Sequence, residues 1–205
     1  MNSRWLDWAR RIEAIAQLGR TYTKDPYDRE RYDQLSTIAA EIVSQEARVL
    51  EREVLAAFAL DTGPATPKID VRGAAFKDDR ILLVRERSDG LWTLPGGWAE
   101  VQESASEAAD REVREESGFT VRSRKLVAVL DRDRHEHPPI LWHTYKLIFL
   151  CDIVAGEAHA SIETDAVDFF SMSQLPPLST SRITKRQIER IFEHARDPSR
   201  PTDFD

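Results

Sequence analysis

Helical spacing of the apolar residues ends at Phe58, strand-like runs begin after Lys68, and the stretch DTGPATPK at residues 61–68 lies between them. Its glycine and two prolines interrupt either kind of regular structure, so it divides a helical arm, residues 1–65, from a second domain, residues 66–205. In the arm, Trp5, Trp8, Ala9, Ile12, Ile15, Ala16 and Gly19 recur at helical spacing. After the Asp25-Pro26 start signal a second series runs Leu35, Ile38, Ala39, Ile42, Val43 and continues through Val49, Leu50, Val54, Ala57 and Phe58. This pattern predicts two or three helices, one of them long. An arm of that size has little core of its own, so its apolar stripe must lie on the rest of the chain or on a second copy, and a homodimer is expected.

Beyond the breaker, VRGAAF and RILLVRER flank Lys77, Asp78 and Asp79 as a hairpin, and KLVAVLDRD, HTYKLIFLCDIV and AVDFF are later strands. Helices are predicted at residues 104–117 and roughly 181–195. The order mixes α and β without a repeating βαβ unit, which predicts an α/β domain with an antiparallel or mixed sheet and helices packed on it.

Charge and cysteine usage narrow the function classes. With 29 Lys and Arg against 36 Asp and Glu, the formal charge of -7 disfavours nucleic acid as a partner and leaves a small phosphorylated ligand open. The single cysteine, Cys151, rules out an intramolecular disulfide and a cysteine-rich zinc site, which suits a reducing cytosol. The N-terminal stretch MNSRWLDWARR carries charges where a signal peptide needs its apolar core, and no run approaches the roughly 18 apolar residues of a membrane span, so a cytoplasmic protein with no membrane partner is expected.

The segment REVREESGF gathers Glu112, Glu115 and Glu116, which repel one another at helical spacing. Ser104 and Glu107 form a capping box ahead of them and Gly118 is placed to end the helix. At about 100° per residue, Ala105, Ala108, Ala109 and Val113 define one face, Glu112 and Glu116 project within it, and Glu115 falls at its border. Glu107, Asp110, Arg111 and Arg114 occupy the outer stripe. The acidic trio therefore points inward, where unpaired charge is expensive, and no lysine or arginine sits at a neighbouring position on that face. A divalent cation meets the requirement, and oxygen-only ligation indicates a hard ion, Mg²⁺ with Mn²⁺ as its substitute, over zinc.

Residues 97–119 follow Gly-x5-Glu-x7-Arg-Glu-hydrophobic-x-Glu-Glu-x-Gly-hydrophobic, with Gly97, Glu103, Arg111, Glu112, Val113, Glu115, Glu116, Gly118 and Phe119 at the fixed positions. This resembles the Nudix box without a departure. The resemblance implies a Nudix-type α/β/α sandwich with a mixed sheet, preceded by the small α-helical domain, and hydrolysis of a nucleoside diphosphate linked to another moiety. By the same resemblance Glu112 and Glu116 bind Mg²⁺, Glu115 and the Gly96 carbonyl are further ligands, and Glu103 and Arg111 form an ion pair that holds the loop against the helix. The family often carries a further acid before a late strand, and SIETDAVDFF offers Glu163, with Asp165 behind it, as general base or ligand; a plain solvated loop is the competing account.

The arm together with VRGAAF, LWTLPGGWAE, DRDRHEHPP and DFFSMSQLPPLS resembles a bacterial Nudix subgroup associated with CDP-choline and ADP-ribose hydrolysis. CDP-choline, giving CMP and phosphocholine, is the first expectation, and ADP-ribose, giving AMP and ribose 5-phosphate, the second. Trp92 and Trp98 flank the glycine loop as candidate faces for a base or a quaternary ammonium, although core or wall packing is the more ordinary use of either. Arg132 and Arg134 are candidate phosphate contacts, Arg72 is a candidate phosphate or base contact, and His137 and His143 have no convincing metal spacing. Two rivals remain: a house-cleaning triphosphate pyrophosphatase, and a Nudix ligand-sensing regulator whose arm contacts DNA. The arm's 9 Lys and Arg against 11 Asp and Glu make the second a poor electrostatic fit.

Overall fold

A computed structural model describes residues 4–205, and the chain divides into two compact units. One is Met1–Pro67 with Pro139–His143, the other Lys68–Pro138 with Thr144–Asp205. The short return at residues 139–143 thus groups with the helices, although it lies far along the sequence from them.

The first unit holds α1 (Arg4–Tyr22), α2 (Pro26–Ala47) and α3 (Glu51–Ala59). Asp25 caps α2, accepting from the Tyr27 and Asp28 N–H groups at 2.7 and 3.4 Å, with Pro26 in the first turn where no N–H is missed. The long helical series expected from Leu35 to Phe58 breaks at Arg48, whose φ of 55° is left-handed and ends α2. The unit has a small core of its own, Ala9, Ala39, Ala40, Val43, Val54 and Phe58 with Leu141 and Trp142 packed on it. A second stripe of α1, Trp5, Trp8, Ile15, Leu18 and Tyr22, stays exposed. Among the described residues no helix is long and apolar enough to cross a membrane.

The second unit contains β1 (Lys68–Lys77), β2 (Arg80–Glu86), β3 (Trp92–Thr93), α4 (Ala105–Ser117), β4 (Phe119–Asp131), β5 (Thr144–Gly156), β6 (Thr164–Phe170), α5 (Lys185–Arg196) and β7 (Asp203–Phe204). The sheet runs β3-β2-β1-β5-β4-β7, with β6 also on β2. It is mixed, because β1 pairs β5 and β4 pairs β7 in parallel while the other pairings are antiparallel. The β1–β2 hairpin turns through Asp78 and Asp79, both at positive φ as a two-residue turn of matching twist requires.

Alternation along the strands serves two buried faces. Val71, Ala75, Leu82, Phe149 and Cys151 meet Ala108, Ala109 and Val113 of α4. Ala74, Ile81, Leu83, Ile148 and Leu150 meet Ile188, Ile191 and Phe192 of α5. Burying each of these larger side chains contributes about 1.5–3 kcal/mol, which fixes both helices on an α/β/α sandwich. Gly73 lies under α4 where a Cβ would collide with the Val113 side chain. The last helix starts at Lys185, behind a Thr184 and Gln187 capping box, four residues later than the sequence suggests.

One departure from regular pairing creates the site. β1 and β2 pair in register only at Phe76 with Ile81 and Lys77 with Arg80. Lower down, the edge of β1 is taken by the glycine loop: Val71 N–H donates to the Gly97 carbonyl at 2.8 Å, Gly73 N–H to Pro95 at 3.0 Å, and Ala99 N–H to Ile69 at 3.0 Å.

Candidate active site

The helix that carries the acids is set at both ends. Ser104 Oγ accepts from Glu107 N–H while Glu107 accepts from Ser104 N–H, and Gly118, at φ 82°, closes the C-terminus. Burial of Ala108, Ala109 and Val113 then fixes the rotation of α4 and turns Glu112 and Glu116 toward the glycine loop. Glu116 is 5% exposed and its Oε2 accepts the Gly96 N–H at 3.0 Å. Glu112 lies against Gly97, where its carboxylate would touch any added Cβ.

Gly96 has no substitute in this arrangement. Its φ is 149°, and a Cβ there would run into the Val71 carbonyl. Among the described residues no hydrogen bond is donated to its own carbonyl, which leaves that oxygen for a ligand.

The inward trio is in fact an inward pair. Glu115 is exposed, because its place at the border of the apolar face carries it past the loop. No lysine or arginine shares the inner face of α4, yet two cations from outside that face reach its acids. Arg111 folds back from the outer stripe and donates to Glu103 at 2.8 and 3.0 Å, to Glu112 at 2.9 Å and to Glu115 at 3.1 Å. Glu103 also accepts from Glu100 N–H, and with the Arg111 hydrogen bonds this holds its carboxyl down to about 2. The second cation is Arg72, from the facing strand, whose charge reaches both Glu116 and Glu112.

Arg72 is not free to meet a ligand. It is 6% exposed, its Nε and Nη2 hold Asp70 Oδ1 at 3.0 and 2.8 Å, and its Nη1 holds the Leu94 carbonyl at 3.1 Å. Lys146, on β5 beside Asp70, pairs with the other Asp70 oxygen, and burial lowers its pKa to about 8 against the pull of Asp70.

These cations do not neutralise Glu116. Burial pushes its carboxyl up to about 8, against Arg72 and the Gly96 N–H, and with the added repulsion of Glu86 and Glu112. Burial likewise raises Glu112. Two carboxylates raised in this way, beside an available carbonyl and with no sulfur or imidazole in the set, make an all-oxygen donor group that fits a hard divalent ion.

Glu163 is brought to the same end of the domain. Thr164 Oγ1 donates to the Glu116 carbonyl at 2.7 Å, and the Glu163 carbonyl accepts from Arg87 N–H at 2.9 Å. The Glu163 residue is exposed. Asp165 behind it is tied to Arg85 at 2.7 Å.

Glu86, at the end of β2 and paired with Thr164, is the residue that the sequence reading missed. It is buried, its charge acts on Glu116, and Arg182 Nε meets it at 3.1 Å. The available signal was parity, since Glu86 has the same strand parity as the buried Leu82 and Val84.

The remaining candidates separate. Trp98, bridged to Asp70 beside the loop, leaves 48% of its surface exposed. Trp92 packs edge-on against Phe170 at 4.7 Å, with Arg85 over its ring, and so takes the wall-packing role. Arg132 is buried and donates from Nη2 to the Ser181 carbonyl at 3.0 Å, while Arg134 is exposed beside Asp131. His137 is buried between Thr180 and Gln187: Nδ1–H donates to the Thr180 carbonyl at 2.7 Å and Nε2 accepts from Gln187 at 3.0 Å.

Comparison with known proteins adds to this geometry. Residues 3–58 match a family model described as the UDP-X-like, N-terminal oligomerisation domain, and residues 67–191 match the NUDIX domain. A putative ADP-ribose pyrophosphatase of Bacillus subtilis (strain 168) is 42% identical over 205 residues, 100% of this chain and 99% of that protein. The crystal structure of an ADP-ribose pyrophosphatase from Streptococcus suis 89-1591 is 41% identical with a TM-score of 0.64, covering 68% of this chain and 100% of that one. The crystal structure of a UDP-X diphosphatase is 35% identical with a TM-score of 0.64, covering 98% of each chain.

Proposed function

Because this chain belongs to the Nudix hydrolases and is a pyrophosphohydrolase of that family, we propose that it splits the pyrophosphate of a nucleoside diphosphate linked to a second moiety. ADP-ribose, hydrolysed to AMP and ribose 5-phosphate, now takes first place, supported by the names of the relatives similar to this chain over most or all of their length. CDP-choline, giving CMP and phosphocholine, stays as the second reading on one observation: the half-exposed Trp98 indole beside the glycine loop suits a quaternary ammonium.

The observation that carries the proposal is the buried Glu116 carboxylate held on the Gly96 N–H with Glu112 beside Gly97. Glu112, Glu116 and the Gly96 carbonyl would hold Mg²⁺, with Glu115 at the rim. Bound there, the ion supplies neutralisation of the pyrophosphate and a lowered pKa for the attacking water. Arg111 and Glu103 keep the loop on the helix, so the donors stand ready before substrate arrives. Glu163, exposed and anchored through Thr164, is the acid suited to take the proton from water. The arm, whose family model is described as an oligomerisation domain, is proposed to join two copies through the exposed stripe of α1.

A substrate panel with Mg²⁺, scored by product identity, tests this reading. AMP and ribose 5-phosphate from ADP-ribose support the first choice, CMP and phosphocholine support the second, and pyrophosphate released from triphosphates with neither of those reactions overturns both. In the same assay Glu116→Gln should stay folded and lose turnover by ~10²-fold or more.

A further inference from the structure

Lys146 is 1% exposed and stands near the start of β5, just before the apolar run of that strand, where an ammonium is costly to desolvate. Asp70 is met by two buried cations, Arg72 and Lys146. What Lys146 changes is how Asp70 is shared. Lys146 occupies Oδ2, and both Arg72 nitrogens that face the carboxylate are confined to Oδ1. In that position the third nitrogen, Nη1, reaches the Leu94 carbonyl at 3.1 Å. Leu94 is followed by Pro95, bound to Gly73 N–H, and then by Gly96, bound to Glu116. A continuous set of hydrogen bonds therefore joins Lys146 to the glycine loop.

We propose that Lys146 is a positioning residue for Gly96 and Glu116, acting through Asp70, Arg72 and the Leu94 carbonyl. With Oδ2 vacated, Arg72 gains a fork-to-fork pairing with Asp70, slides toward it, and Nη1 leaves Leu94. The loop then loses the side chain that aims it, and the Gly96 carbonyl and Glu116 no longer hold their spacing. This rests on the reading that Glu112, Glu116 and the Gly96 carbonyl hold the divalent ion.

The test is Lys146→Met, close in volume and uncharged, read by Mn²⁺ binding in electron paramagnetic resonance without substrate, together with thermal melting and kinetics. The expected result is a folded protein whose Mn²⁺ dissociation constant rises by about tenfold or more, as for other residues behind metal ligands. KM at saturating metal should change little. Mn²⁺ bound as tightly as by the wild type, whatever the melting temperature, overturns the inference. If that variant does not fold, Lys146→Leu, likewise uncharged and leaving Oδ2 vacant, carries the same expectation, and failure of both to fold overturns it in favour of a structural role. With Lys146 left in place, Mn²⁺ binding that survives Glu112→Gln and Glu116→Gln would instead overturn the underlying reading.

Discussion

Gly96 and His137 show how a single residue's surroundings set its use. At Gly96 the backbone conformation and the Val71 carbonyl both exclude a side chain. Gly96→Ala should therefore displace the loop and lower turnover by ~10-fold or more, in step with a lower melting temperature; wild-type kinetics in that variant would contradict the assigned loop geometry. The histidine was ambiguous as a sequence position and is a staple in the fold, with both ring nitrogens engaged. Burial lowers its pKa from 6.5 to about 4, so the unfolded chain takes up the proton first. Its contribution to stability is full above pH 6.5 and is lost as pH falls toward 4, with a slope of at most about 1.4 kcal/mol per pH unit. Urea unfolding across that window should give a shallower acid loss for His137→Gln than for the wild type, and parallel slopes would remove His137 from the account.

The glutamate helix carries the clearest local instructions in the chain. Its start and stop were legible as Ser104, Glu107 and Gly118, and its inward face as the alanines and Val113. Ser104→Ala should cost about 1 kcal/mol of stability by freeing the Glu107 N–H, measurable as a lower urea midpoint at unchanged slope. Other elements were less legible. β3 and β7 are two residues each, too short for any periodicity to register, and β7 is held by β4, a strand distant in sequence. The start of α5 moved to Lys185 because Thr184, and not Ser181, has its Oγ1 against the N–H three residues on.

Across the molecule, α1 leaves Trp5, Trp8, Ile15, Leu18 and Tyr22 exposed even though the helical unit has a core of its own. Exposed apolar area of that kind marks an interface. On the proposal that α1 joins two copies, the wild type should run as a dimer in light scattering and Ile15→Glu as a monomer with a cooperative melting curve; a monomeric wild type would remove the proposal, and a variant that stays dimeric would move the interface elsewhere. The amino-acid order by itself determined the helical arm, the mixed α/β character of the domain after it and the acidic helix, because periodicity, capping residues and breakers act over a few neighbouring positions; the layered α/β/α plan was legible only through the resemblance of residues 97–119 to the Nudix box. The tertiary structure alone decided which charges stand opposite the acids. Arg72, Glu86, Lys146 and Asp70 come from three strands, and charge pairing across a sheet depends on register and on the gap where β1 and β2 part, neither of which is written at any single position.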